Sequence, residues 1–320
     1  MNLNSLRERF AALPAGSGRV HFRLPSVVLE IQPEFVLAAK LDGRARRVRR
    51  LGAAELQPGS IRPDPGRPNV ANQDALREAV HTAIRAVGDG GGVGLLLPDG
   101  AVRTAVLSFE AVPPSEKEFD ALVRWRIKQN LPGAPEEVRL SYQAAPRETG
   151  GADVLALAIK GSVVSEYQFA LEGSNHGFDL VLPVTAALLP LLPVESGAQL
   201  LLNVCCGWMT SVLVRADTIC LWRTRDLIHG DPAELSRAVA TEAARVVASS
   251  RDHIQLDITR VWLCARPRLS PDIAGEVGRA LGQTVQSLVP GSDMLGALPQ
   301  AARATFQEFG APLGGLLMNA

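Results

Sequence analysis

One pattern, used twice, constrains this chain most: a quick succession of strand-like apolar segments, then alternating helices and strands. Residues 27 to 41 (VVLEIQPEFVLAAKL) read as two strands joined at Gln32-Pro33-Glu34. Apolar β-branched runs broken by proline and polar residues signal a hairpin. A basic strand or loop follows, then a helix over 72–87 with Leu76, Val80, Ile84 and Val87 on one face, and a buried strand at 93–98. In the second half, QLLLNV and SVLVRADTICLWRT supply three strands. A helix at 232–251, a strand at 260–264, a helix at 271–281, a strand at 284–288 and a helical tail over 299–318 come next. Such alternation predicts an α/β fold with two similar lobes.

Inside the first half lies an excursion: a strand over 101–112, an amphipathic helix over 115–130, and strands at 138–143 and 154–159. Ser115 is a natural N-cap there, and Glu118 completes a capping box. Phe119, Leu122, Trp125 and Ile127 are assigned to its apolar side. A helix at 162–174, a strand at 178–182 and a helix at 184–192 close the first half. The expected organisation is an amphipathic segment at 1–20, a first lobe at 21–194 with an insert at about 100–150, and a second lobe at 195–320 whose last helix packs back on the first. In the leading segment, Leu3, Leu6, Phe10 and Leu13 stand at helical spacing around Arg7, Glu8 and Arg9. Two readings fit it: docking on its own protein or staying disordered, as short terminal segments do, or lying on a membrane.

A chain of 320 residues with 47% hydrophobic content can bury a sizeable core. Its formal net charge is +0, which supplies no global attraction to nucleic acid. The local exception is Arg44, Arg46, Arg47, Arg49 and Arg50. A solvated edge strand protected by charge is the plain interpretation; contact with an anionic membrane surface or an acidic partner is the other. Cys205, Cys206, Cys220 and Cys264 sit in apolar segments without a CxxC pair, so they are expected as buried thiols. The five histidines lack metal-ligand spacing, so no metal site is expected. GDGGGVG at 88–94 follows a helix and precedes a strand, the reverse of a phosphate loop, and is read as a turn. No apolar stretch reaches the roughly 20 residues a bilayer requires, so a cytoplasmic protein is expected.

Residues 98–142 (PDGAVRTAVLSFEAVPPSEKEFDALVRWRIKQNLPGAPEEVRLSYQ) carry a resemblance. With Pro113, Glu116, Glu118, Trp125, Leu131, Pro132, Glu136, Glu137, Val138 and Tyr142 in place, the stretch resembles PilM, the actin-like protein of type IV pilus assembly. The resemblance implies an actin-like (ribonuclease H-like, FtsA-like) two-lobed α/β fold with a small α+β insert in the first lobe and a reduced second lobe. It also implies a non-enzymatic scaffold at the inner membrane. Such a scaffold would bind the cytoplasmic tail of a PilN-like bitopic protein in a groove between first lobe and insert. Self-association is compatible with that role, and no nucleic-acid partner is expected. Arg124, Trp125 and Lys128 are the candidate partner contacts. A GspL-like type II secretion module and an active actin-like ATPase are the alternatives.

Actin-like ATPases hold phosphate on two glycine-bearing hairpin turns, with a carboxylate for Mg²⁺, and a glycine-rich turn holds the nucleoside. Matched to these turns, the chain keeps Glu30 but has Gln32 for glycine and Pro33, which lacks an N–H. The second turn has Asn203 for the usual aspartate, Cys205 for glycine, then Gly207 and Trp208. The third reads Cys264-Ala265-Arg266-Pro267-Arg268 in place of a glycine run. The expectation is therefore a cleft with degenerate nucleotide positions, no ATP hydrolysis and no required cofactor, residual nucleotide binding staying open.

Overall fold

The computed structural model describes residues 24–88, 92–147, 150–172, 178–216, 218–227, 231–266, 273–296 and 298–318. The leading segment 1–20, residues 89–91 of the Gly-rich stretch at 88–94, and Pro267 and Arg268 lie outside the described residues. In chain order the first half contains β1 (Val27–Ile31), β2 (Phe35–Asp42), β3 (Arg47–Glu55), α1 (Gln73–Val87), β4 (Val93–Leu97), β5 (Arg103–Phe109), α2 (Glu116–Ile127), β6 (Val138–Pro146), β7 (Ala152–Lys160), α3 (Gly161–Phe169), β8 (Phe178–Pro183) and α4 (Val184–Leu188). The second half contains β9 (Ala198–Cys205), β10 (Trp208–Arg215), β11 (Thr218–Asp226), α5 (Pro232–Ser249), β12 (Ile258–Arg266), α6 (Ile273–Leu281), β13 (Val285–Ser287), α7 (Gln300–Phe309) and α8 (Ala311–Met318).

The two main sheets share one topology. The first runs β3-β2-β1-β4-β8 and the second β11-β10-β9-β12-β13. In each, three consecutive antiparallel strands are extended by two parallel ones across helical crossovers. β1, β4 and β9 are buried along their whole length, as expected of strands covered on both faces.

Alternation along the strands decides what each face meets. Val27, Leu29 and Ile31 pack with Leu76, Val80 and Ile84 of α1. Val28, Leu37 and Ala39 on the other face pack with Phe306 of α7 and with Leu313, Leu316 and Leu317 of α8. The C-terminal helices therefore return to the first sheet. A Cβ on Gly315 would stand 1.8 Å from the Ala187 carbonyl oxygen, so α8 crosses α4 at a distance only glycine permits. In the second sheet, Leu200, Leu202 and Val204 face α5 and α6. The opposite face of β9 thereby turns Leu201, Asn203 and Cys205 toward the first sheet.

Local signals hold α1 and α5 in place. Asn72 caps α1 by accepting from the Ala75 N–H at 3.0 Å. Asp231 caps α5 by accepting from Glu234 N–H at 2.8 Å, with Pro232 in the first turn. α2 differs from its expected cap: Ser115 makes no side-chain capping bond. Its buried stripe also differs. Phe119, Val123 and Ile127 form it, while Trp125 is 67% exposed. Steps of four keep residues on one helix face, and a step of two from Val123 turns about 200° to the far side.

The excursion is a separate antiparallel sheet, β5-β7-β6. α2 covers one face, packing on Val154, Ala156 and Ala158. Leu157 and Ile159 on the other face join the first core, and Leu155 joins the core between the main sheets.

Candidate functional site: the cleft between the two sheets

β1 brings Glu30 to the cleft one residue before the strand ends, fully buried. The hairpin that follows is tight, with Gln32 N–H donating to Phe35 C=O at 2.9 Å. Gln32 is itself buried, and its Nε2 donates to Glu30 Oε1 at 3.0 Å. From the other sheet comes Arg266, the last residue of β12, only 1% exposed. Its Nη1 donates to Glu30 Oε1 at 2.7 Å and to the Phe309 carbonyl at 3.1 Å. One guanidinium thus ties together β12, β1 and the end of α7.

Burial pushes the Glu30 carboxyl up from its ordinary value, against the pull of Arg266 and the Gln32 amide. The Glu30 charge in turn holds the guanidinium protonated, outweighing its desolvation. Glu30 Oε2 and Arg266 Nε and Nη2 have no hydrogen-bond partner among the described residues.

A second polar bridge lies beside the first. Asp99, just beyond β4, accepts from the Thr185 N–H at 2.9 Å and from the Thr185 hydroxyl. Asn203 Nδ2 donates to Asp99 Oδ2 at 3.2 Å and to Thr185 Oγ1 at 2.7 Å. Asp99, Thr185 and Asn203 are all buried. Burial pushes Asp99 up, and the Thr185 hydrogen bonds oppose that. Sequence reasoning singled out Asn203 but missed Asp99 and Thr185. The available signal was position: Asp99 follows the C-terminal end of the parallel strand β4, and strand C-terminal ends face the crevice in open α/β sheets.

The turn joining β9 and β10 is Cys206-Gly207, with φ of 48° and 77°. Both residues are left-handed, the conformation a two-residue hairpin with the right twist demands. Cys205 precedes the turn and is buried in the core with Leu37 and Phe306. Its Sγ lies 3.5 Å from Cys206 Sγ, a contact that with burial raises the Cys205 pKa. Burial pushes Cys264 up to about 11. The structure therefore gathers Glu30, Gln32, Asn203, Cys205 and Arg266 around one crevice, with Gly207 in the adjoining turn; Pro33 is in the β1–β2 turn. Two cavities flank it. One of about 310 Å³ lies against Cys264, Arg266, Ser287, Pro290 and Gln307. The other, about 230 Å³, lies between Pro65, Asp99, Arg103, Trp208 and Trp222.

Arg124, Trp125 and Lys128 are elsewhere. They stand exposed on α2 and the turn after it, and Arg124 pairs with Asp120 at 2.7 Å. None of them lines either flanking cavity.

Doubled sheet topology, insert and interlobe crevice together define an actin-like fold, which is the fold of this chain. The chain is similar to a solved structure described as the PilM-PilN type IV pilus biogenesis complex. It is 20% identical, with a TM-score of 0.75, over 92% of this chain and 98% of that one. The likeness to PilM read from residues 98–142 thus appears in the fold of the whole chain. A Bacteroides thetaiotaomicron protein with an actin-like ATPase fold is 9% identical with a TM-score of 0.52, covering 82% and 90% of the two chains. The cytoplasmic domain of EpsL from the Vibrio cholerae type II secretion system has a TM-score of 0.44 at 13% identity, over 83% of this chain and 98% of that one, too low to bear on function. The sequence matches no family model and no curated protein. Among the described residues, no helix is long and apolar enough to cross a membrane.

Proposed function

We propose that this chain is a non-enzymatic, PilM-like scaffold of a type IV pilus-type assembly platform, peripheral on the cytoplasmic side of the inner membrane. The likeness to the PilM-PilN complex supports the platform role, and the observation that carries its non-enzymatic half is the Arg266–Glu30 pair. The acid that an actin-like ATPase would turn toward a metal is here held by a fixed internal cation, with both side chains no more than 1% exposed. A second positive charge beside Arg266 would meet uncompensated repulsion in a desolvated site. Pro33 contributes no N–H at the first turn, and Trp208 fills space beside Gly100. Magnesium-ATP does not fit this set of residues, and no catalytic step is assigned to them.

The partner proposed is the cytoplasmic N-terminal tail of a PilN-like single-span protein. The groove between first lobe and insert is where the loop over 57–72 crosses, the Lys160 N–H donating to Pro65 C=O at 3.0 Å. The cavity at Pro65, Asp99 and Arg103 adjoins it, with Trp208 and Trp222 of the second half on its other side. Arg124, Trp125 and Lys128 offer a second contact on the insert's outer helix.

Two measurements test the reading. Millimolar Mg-ATP should leave the melting temperature unchanged; a rise of several degrees would show a bound nucleotide and overturn the pseudo-ATPase half. A synthetic peptide of the cytoplasmic tail of a single-span protein encoded beside this one should be retained by the chain. Its retention should be lost in Arg103→Glu. Retention undiminished in that variant would move the tail out of this groove.

A further inference from the structure

The cavity of about 310 Å³ flanking the crevice is built by the ends of two parallel strands and the returning helices. β13 stops at Ser287, opposite Leu263, and β12 runs on beyond it to Arg266. The Leu288 N–H still donates to the Leu263 carbonyl at 2.8 Å, and the ladder ends there. The space left lies at strand C-terminal ends, where open α/β sheets place ligands. Ile273 of α6, Leu288, and Ala311 of α8 are buried and give the cavity apolar walls. Ser287, Gln307 and Glu308 stand exposed at its mouth.

Arg266 is the buried charge on this lining, only 1% exposed. Its Nη1 supplies Glu30 and the Phe309 carbonyl. Its Nε and Nη2 are buried and have no hydrogen-bond partner among the described residues. A buried donor left unpaired costs more than a hydrogen bond ordinarily returns. Nε and Nη2 also form the guanidinium edge that engages both oxygens of a carboxylate in parallel bonds. An unused fork on a fixed cation thus coincides with a cavity whose walls are apolar.

We infer that this cavity binds a small monocarboxylic acid, its carboxylate in the fork of Arg266 Nε and Nη2 and its apolar body against Ile273, Leu288 and Ala311. A volume near 310 Å³ is at the lower end for small-molecule sites, which suits a compact ligand. One negative charge suits the site better than two, because Glu30 already pairs with Arg266 and Glu308 stands at the mouth. That favours a carboxylate over inorganic phosphate. A neutral nucleoside would fill the volume and leave the fork unpaired. Ser287 and Gln307 can donate to a carbonyl on the ligand's body. A free acid and the C-terminal residue of a polypeptide share this chemistry. The site stands independently of the scaffold reading, since Arg266 keeps its bond to Glu30 when the fork is filled.

The test is a saturation-transfer NMR titration of the full chain with N-acetyl-leucine, 4-methylpentanoate, N-acetyl-leucinamide, inorganic phosphate and adenosine. The two acids should bind with dissociation constants of about a millimolar or tighter, the scale that ligand efficiency sets for about ten heavy atoms. N-acetyl-leucine copies a polypeptide C-terminus, and 4-methylpentanoate carries the same side chain without the amide. Whichever binds tighter names the source, and either result supports the site. N-acetyl-leucinamide, which lacks the charge, should give no transfer. Arg266→Lys keeps a cation for Glu30 and removes the fork, so it should weaken both acids by about tenfold or more. If that variant fails to fold, Gln307→Glu at the exposed mouth should weaken them several-fold with the melting temperature unchanged. No binding of either acid, equal binding of the amide, phosphate or adenosine, or undiminished binding in the folded variant overturns the inference.

Discussion

Arg266 Nη1 sits 2.7 Å from Glu30 Oε1, so the last residue of β12 and the first strand of the chain share an ion pair buried from water. Removing one partner leaves the other as an uncompensated buried charge. Arg266→Ala is therefore expected to cost about 3–5 kcal/mol in urea unfolding, and Glu30→Gln a comparable amount. The double variant Glu30→Gln/Arg266→Met should cost less than the two singles added, because neither charge is left behind. Simple additivity would show that the pair is not energetically coupled.

Asp99 predicts a pH dependence. Burial raises its carboxyl above the ordinary 3.8, so the folded chain holds that proton more tightly than the unfolded one. Its contribution is therefore full below about pH 3.8 and is lost as pH rises through the raised folded value. Asp99→Asn keeps an acceptor for the Thr185 N–H and does not titrate. Relative to this variant, the unaltered chain should lose stability as pH rises from about 4 toward neutrality, by at most roughly 1.4 kcal/mol per pH unit. Parallel stability curves for the two proteins would refute it.

α2 offers a contrast within three residues. Ile127→Ala empties a fully buried position and should cost about 2–5 kcal/mol. Trp125→Ala, at a site 67% exposed, should stay within about 0.5 kcal/mol of the unaltered protein. If the tryptophan variant were the less stable one, the helix would be seated with its other face inward.

Gly315→Ala tests the return of the C-terminal helices. The added methyl would stand 1.8 Å from the Ala187 carbonyl oxygen, so α8 must lift from α4. The expected loss is about 1–3 kcal/mol, the range for overpacking, read as a lower melting temperature. An unchanged melting temperature would mean that the α4–α8 crossing yields freely.

The thiols supply a fifth check. Cys264 is buried and raised to about 11, and Cys205 is buried and raised as well. Since the thiolate is the reactive form, iodoacetamide at pH 8 should leave both unmodified in the folded chain and label them in denaturant. Fast labelling of either in the native protein would place it at a surface.

Much of the frame is legible in the sequence. The hairpin at Gln32-Pro33-Glu34, the helix from Asn72, the doubled strand–helix alternation and the insert all follow from periodicity and turn residues, which act over a few positions. Two local expectations failed for reasons of geometry. Ser115 and Glu118 have the spacing of a capping box, yet Ser115 makes no side-chain cap. Trp125 was grouped with the apolar side by residue type, whereas the helix phase set by Phe119, Val123 and Ile127 turns it outward.

The crevice divides along the same line. By itself the sequence determined that Gln32, Pro33 and Asn203 replace the residues a nucleotide turn uses, because those losses can be read one position at a time. Only the tertiary structure decided that Arg266 meets Glu30, 236 residues earlier, and that Asp99 meets Thr185 and Asn203. The physical reason is that no local propensity links residues so far apart. Their contacts exist because two similar sheets and a returning C-terminal helix enclose one small space, where a buried charge must find its partner or be neutralised.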